Sequence, residues 1–187
     1  MISSIVRTVA PTDLPVSLAD VKTRLKIDHN DEDPLLLAYI QAATVYAEEY
    51  QWSQLVTATF VERFDCFPCE IRPKRCPLVS VTSLQYVDTA GTTQTLTANT
   101  DYTVDAYHKP GRIIPAYNTS WPSTRGYAND VILTYTAGYG EPKDVPDEVK
   151  MAIILKVDQQ RSSCEKPETL DKPIQMLLDL RSFRVFY

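Results

Sequence analysis

The residues with the most chemical potential in this 187-residue chain sit together in the stretch IDHNDEDP: Asp28, His29, Asn30, Asp31, Glu32 and Asp33. Four carboxylates, an imidazole and an amide in six positions could serve a hard cation or acid–base chemistry. A calcium loop is the sharpest form of that idea. With Asp28 at its first position, Asn30 and Glu32 fall on the third and fifth. The sixth is then Asp33 where the sharp turn needs Gly, and the twelfth is Tyr39 where a bidentate Glu is needed. The match fails at both informative places. The favoured reading is a helix start, with Asn30, Asp31 or Asp33 as cap and the other carboxylates against the positive helix end. A metal-binding module or enzyme built on Asp28, Asp31 and Asp33 stays as the rival.

Other candidates are thinner. CFPCEIRPKRC holds Cys66, Cys69 and Cys76, and the fourth cysteine, Cys164, is distant. The first spacing is C-x-x-C, but no second close pair completes a zinc site. His108 or Cys164 could do so only through the fold, so the sequence leaves open whether Cys66, Cys69 and Cys76 bind a metal. GYGEPK supplies Gly138 and Gly140 but puts Lys143 where a dinucleotide loop has its third Gly. No G-x-S-x-G elbow occurs, and His29 and His108 are the only histidines, so nucleophilic catalysis finds no support. No cofactor is implied. Arg72, Lys74 and Arg75 could touch phosphate, although three charges among prolines are more often a solvated loop. At the far end, LRSFRVFY alternates Arg181 and Arg184 with Phe183, Phe186 and Tyr187, residue types enriched at interface anchors. Docking of that end on its own domain is the competing reading.

These residues must be positioned by a mixed framework. Ser17 followed by Asp20 is close to a capping box and opens a short helix over about residues 17–26. A longer helix follows over 34–51, with Leu36, Ile40, Ala43, Ala47 and Tyr50 on one apolar face. After Trp52 the texture turns to Val, Thr, Tyr and Phe, punctuated by Gly, Pro, Asn and Asp, which predicts antiparallel strands. DTAGTTQ reads as a hairpin turn with Gly91 at its special position. Helix returns at VPDEVKMAIILKVDQQ, where Val149, Ile153, Ile154 and Val157 form the stripe, and a last short helix is expected at PIQMLLDLRSF. The expected fold is therefore α+β. An N-terminal helical hairpin and C-terminal helices (1–54 and 139–187) form a small helical bundle, with an antiparallel β region (55–138) inserted between them.

Composition excludes some functions. A net charge of −5 and a pI near 5.0 argue against a free nucleic-acid binder. No apolar run approaches the ~18 residues of a membrane span, and the N-terminal residues lack a signal peptide's apolar core. The expectation is a soluble protein made in a cytoplasm, which also argues against disulfides.

The order of SLADVKTRLKIDHNDEDPLLLAYIQAA, SVTSLQYVD, DYTVD, GRIIPA, WP, TYTAGYG and VPDEVKMAIILKV resembles the head–tail connector (adaptor, or head-completion) proteins of long-tailed double-stranded DNA phages and prophages. The resemblance runs from about residue 16 to 180. It implies a virion structural protein of the neck, made in the host bacterial cytoplasm, and not an enzyme. Family members form a dodecameric ring beneath the portal protein, extend the DNA channel, and meet the next neck or tail-completion protein. DNA passes through without sequence-specific binding, and no membrane is involved. On this reading helices near 18–27, 34–51 and 145–161 build the ring wall, with Leu36, Ile40, Tyr46, Tyr50, Val149 and Ile153 as subunit contacts. The segment 173–187 docks on the portal through Arg181, Phe183, Arg184, Phe186 and Tyr187. A tail-side neck or terminator protein of similar shape is the alternative within the class. The three clustered cysteines, and a third helix without aromatics near its end, depart from the family's pattern and bear on partner contacts.

Overall fold

Period-two burial through the middle of the sequence becomes a sheet, and period-3.6 burial on either side becomes helices. The computed structural model describes residues 3–162 and 171–183. The chain divides into two units, one made of Met1–Ala10 with Thr57–Gly138 and the other of Pro11–Val56 with Tyr139–Tyr187.

The β unit contains β1 (Ser3–Val9), β2 (Ala58–Phe64), β3 (Leu78–Val87), β4 (Thr93–Leu96), β5 (Tyr102–Asp105), β6 (Arg112–Pro115) and β7 (Val131–Ala137). Five strands form an antiparallel sheet in the order β1-β2-β7-β3-β4, and β5 and β6 form a separate hairpin. β2 and β7 alternate strictly, so Ala58, Phe60, Phe64, Val131, Leu133, Tyr135 and Ala137 reach the core from one face. Ile71 joins them through reciprocal 2.9 Å backbone bonds with Ile113. The β3–β4 turn forms where DTAGTTQ places it. Gly91 has φ +83°, and the Asp88 carboxylate accepts from the amides of Ala90 and Thr92 and from Gln94. The Gln94 bond leads in holding the Asp88 carboxyl below its ordinary range.

Residues 3–9, left in the helical part by the sequence reading, are instead the edge strand β1 on β2. β1 supports an unusual core residue. Glu62 shares the inward face of β2 and is fully buried. Its carboxylate accepts from Ser3 Oγ at 2.7 Å, the Lys74 amide at 3.1 Å and Tyr135 OH at 3.4 Å. Burial pushes its pKa up, and the bonds from Lys74 and Ser3 act against that.

The helical unit contains α1 (Leu18–Leu25), α2 (Asp33–Gln51), a single 3-10 turn at Pro142–Asp144, α3 (Asp147–Arg161) and α4 (Asp171–Asp179). Ser17 caps α1 as expected: its Oγ accepts from the Asp20 amide at 3.1 Å and donates to the Asp20 carboxylate at 2.7 Å. Val21, Leu36, Ile40, Ala43, Val149 and Ile153 are among the residues of one core, which α4 enters through Ile174 and Leu178. α2 ends at Trp52 in the left-handed conformation (φ 56°), with its N–H and that of Ser53 returned to the last turn. The buried Glu48 carboxylate then accepts from the Leu55 amide at 3.1 Å and from Gln54 Nε2 at 2.6 Å. One charged side chain thus satisfies the chain as it leaves the helix.

Candidate interaction surfaces

The acidic turn between α1 and α2 is divided among separate cations. Lys22 Nζ reaches Asn30 Oδ1 at 2.6 Å and Asp33 Oδ1 at 2.7 Å, while Glu32 pairs with Arg161 at 3.0 Å. The hydrogen bond from Arg161 is the main reason the Glu32 carboxyl lies below its ordinary range. Asp28, His29 and Asp31 face solvent. Among the described residues no group of three His, Cys, Asp or Glu side chains could hold a metal ion. The cap differs from the expected one. Glu32 is the N-cap residue and makes no side-chain cap bond, its carboxylate being taken by Arg161, while Asn30 and Asp33 are drawn back to Lys22 on α1. Pro34 still lies in the first turn. The turn is a clasp between helices.

Cys66 and Cys69 are exposed, and Cys76 is buried with its Sγ 3.7 Å from the Pro73 carbonyl. Cys164 lies outside the described residues. An open groove of about 610 Å³ in the helical unit has a lining that includes Leu14, Val16, Leu18, Ile154 and the charged Asp13, Asp20, Lys143 and Lys150. Each of these charges is already engaged: Asp13 with Thr12, Asp20 with Ser17, Lys143 with Glu141, and Lys150 with the Lys143 carbonyl.

The six residues expected at ring contacts divide in two. Leu36, Ile40, Val149 and Ile153 are wholly inside the subunit's own core and cannot reach a neighbour. Their helical periodicity is the signature of this core. Tyr46 and Tyr50 are half-buried; Tyr46 lies under Lys156, and Tyr50 OH donates to Asp179 at 2.9 Å. The expected portal contacts divide as well. Phe183 is buried, and its amide donates to the Gln51 carbonyl at 3.0 Å, so it docks on its own unit. Arg181 is exposed and 3.5 Å from Glu148. Arg184, Phe186 and Tyr187 lie outside the described residues. Further apolar residues lie on the other side of the helices. Leu35 and Val45 on α2, and Met176 and Leu180 on or just after α4, are all exposed. A second three-four spacing (35, 38, 42, 45), one or two residues ahead of the core stripe, is the signal for the α2 pair.

The described residues form turn-linked helices and an antiparallel sheet, an arrangement that known proteins share. Residues 15–66 match a family model described as phage gp6-like head-tail connector protein. No curated protein matches the chain. Among solved structures, a chain in the "Neck of empty GTA particle computed with C6 symmetry" matches with TM-score 0.75 and 20% identity, over 96% of this chain and 95% of that one. One in the "Virion of native gene transfer agent (GTA) particle" gives 0.76 and 19% over 95% and 94%. One in the "Neck of native GTA particle computed with C12 symmetry" gives 0.72 and 21% over 97% and 95%. The fold is thus α+β and is shared along nearly the whole chain with chains of these particles. In sequence, the match to the phage gp6-like head-tail connector model is confined to residues 15–66, which hold α1, α2 and β2.

Proposed function

We propose that this chain is a head–tail connector of a phage-like virion. It assembles as a ring of twelve beneath the portal, extends the DNA channel and joins the head to the neck and tail. The observation that carries this reading is the coincidence of the family match over residues 15–66 with a fold shared along nearly the full length of chains from gene transfer agent particles. Its role is structural, without catalysis, which fits an acidic turn spent on ion pairs and a groove whose charges are all engaged. An overall charge of −5 suits passage of DNA, since like-charged phosphate is not retained.

The portal-facing arm is the segment beyond Phe183, with Arg184, Phe186 and Tyr187 as its anchors. Because Phe183 is buried, the truncation that isolates this arm removes residues 184–187 and keeps Phe183. Mixing the full chain with portal rings, followed by native mass spectrometry and negative-stain imaging, tests the reading. Twelve copies per portal are expected, and the truncation should bind no portal while melting as the full chain does. Co-purification with tail-tube protein instead of portal would move the chain to the tail-side terminator class.

A further inference from the structure

The proposed ring needs a surface on each subunit that fits a different surface on the next, because a head-to-tail contact repeated around an axis is heterologous. The helical unit carries two such surfaces. Between Pro34 and Ala47 α2 has no charged residue at all, on any face. Its inward stripe fills the core, yet Leu35, Ala38, Ala42 and Val45 recur at alternating spacings of three and four and are all exposed. This is the spacing of a helix–helix seam. Four residues beyond Val45 it meets its single charge, Glu49, also exposed. The second surface is on α4. Its Ile174 and Leu178 are buried, while Pro173, Met176 and, in the turn after the helix, Leu180 repeat the three-four spacing on the exposed side. Lys172 stands at the beginning of that seam.

We propose that the outer seam of α2 on one subunit receives the outer seam of α4 from the next copy, with the two helices antiparallel. Size and charge both select this pairing. The α2 seam is small at its centre, where Ala38 and Ala42 leave a shallow trough, and the α4 seam carries the long side chains Met176 and Leu180. In the antiparallel register Met176 meets Val45, Leu180 meets Ala42, and Lys172 reaches Glu49. Taken singly, the contact is small. A stable two-body interface covers about 800 Å² on each partner, which a seam of three or four apolar side chains does not approach. Each contact is therefore weak alone and strong when twelve close together on a template.

This inference rests on the ring reading above, and the test separates the two. Three variants of the full chain are compared on portal rings by native mass spectrometry: Ala42→Glu, Leu180→Lys, and both together. All are surface changes, and an unaltered melting curve confirms that each folds. Each single variant should lower ring occupancy by roughly tenfold or more, because it places an unpaired charge against an apolar seam. The double variant should recover to about the wild-type level, since every glutamate then faces a neighbour's lysine. Single variants that still fill the ring overturn the pairing and leave the connector reading intact. Loss in the single variants without recovery in the double assigns the seams to the portal or a neck protein, and overturns it equally. A wild-type chain that never forms rings removes both this inference and the reading beneath it.

Discussion

Replacing Glu48 by Ala should loosen the helical unit by a calculable amount. The carboxylate is buried at the end of α2 and accepts from the Leu55 amide at 3.1 Å and from Gln54 Nε2 at 2.6 Å. Gln54 keeps its 3.0 Å bond to the Val56 carbonyl, whereas the buried Leu55 N–H loses the acceptor it has here. An orphaned buried donor costs about 1–3 kcal/mol, and a bond to a charged acceptor contributes about 1.5–3 kcal/mol. Removing a buried charge offsets part of this. The net loss is roughly 2–4 kcal/mol, which for a chain of this size lowers the melting temperature by about 4–16 °C. Glu48→Gln retains an acceptor oxygen and should fall less than half as far. Scanning calorimetry, with Trp52 fluorescence reporting the helical unit, measures both. If Glu48→Ala melts within ~2 °C of wild type, the carboxylate is not what holds this turn.

Two further outcomes follow from single residues. Ser17→Ala deletes the cap of α1, removing the Oγ that serves the Asp20 amide and carboxylate. Helical-unit stability should drop by ~1 kcal/mol in urea titration, and an unshifted midpoint would discount the cap. Glu62→Gln tests the buried carboxyl of β2. Burial raises its folded-state pKa, so the folded state binds the proton more tightly than the unfolded chain does. Its contribution is complete below the ordinary carboxylate value of ~4.3 and declines as pH rises through the folded value. The melting temperature of Glu62→Gln minus that of wild type should therefore grow as pH rises above about 4 and level off once the folded-state carboxyl has ionised. A difference that stays constant across the range refutes the assignment.

What could be read from the sequence was what is decided locally. Ser17 and Asp20 are three apart and satisfy each other, so the start of α1 was legible. So was the β3–β4 turn, which Asp88 and Gly91 settle between them. β1 was not, because its partner begins at Ala58 and nothing near SSIVRTV announces a pairing across half a hundred residues. The cap of α2 was misread for a related reason. Lys22, on another helix, takes Asn30 and Asp33, and no pattern within IDHNDEDP records that competition. The candidate ring residues failed differently. Leu36, Ile40, Val149 and Ile153 were chosen for their periodicity, and periodicity first identifies what a subunit buries in itself. A surface for a partner has to be sought in the apolar residues left over. Phe183 teaches the converse, since an aromatic near a chain end was read as an anchor for others and is an anchor for its own fold.

The interleaving of the two units along the sequence also sets a timetable for synthesis. The β unit has all of its strands once Gly138 is made, but α2 needs α3 and α4, which come later still. While residues 57–138 are added, at about 5–20 residues per second, the uncharged helix from Pro34 to Ala47 has neither of its later helical partners. For roughly 4–16 s its core stripe stays uncovered by α3 and α4, an interval in which apolar surface is open to chaperones and to neighbouring nascent chains. Slower translation of the β segment lengthens that interval. The yield of soluble subunit should therefore respond to codon choice in a stretch that contributes nothing to α2.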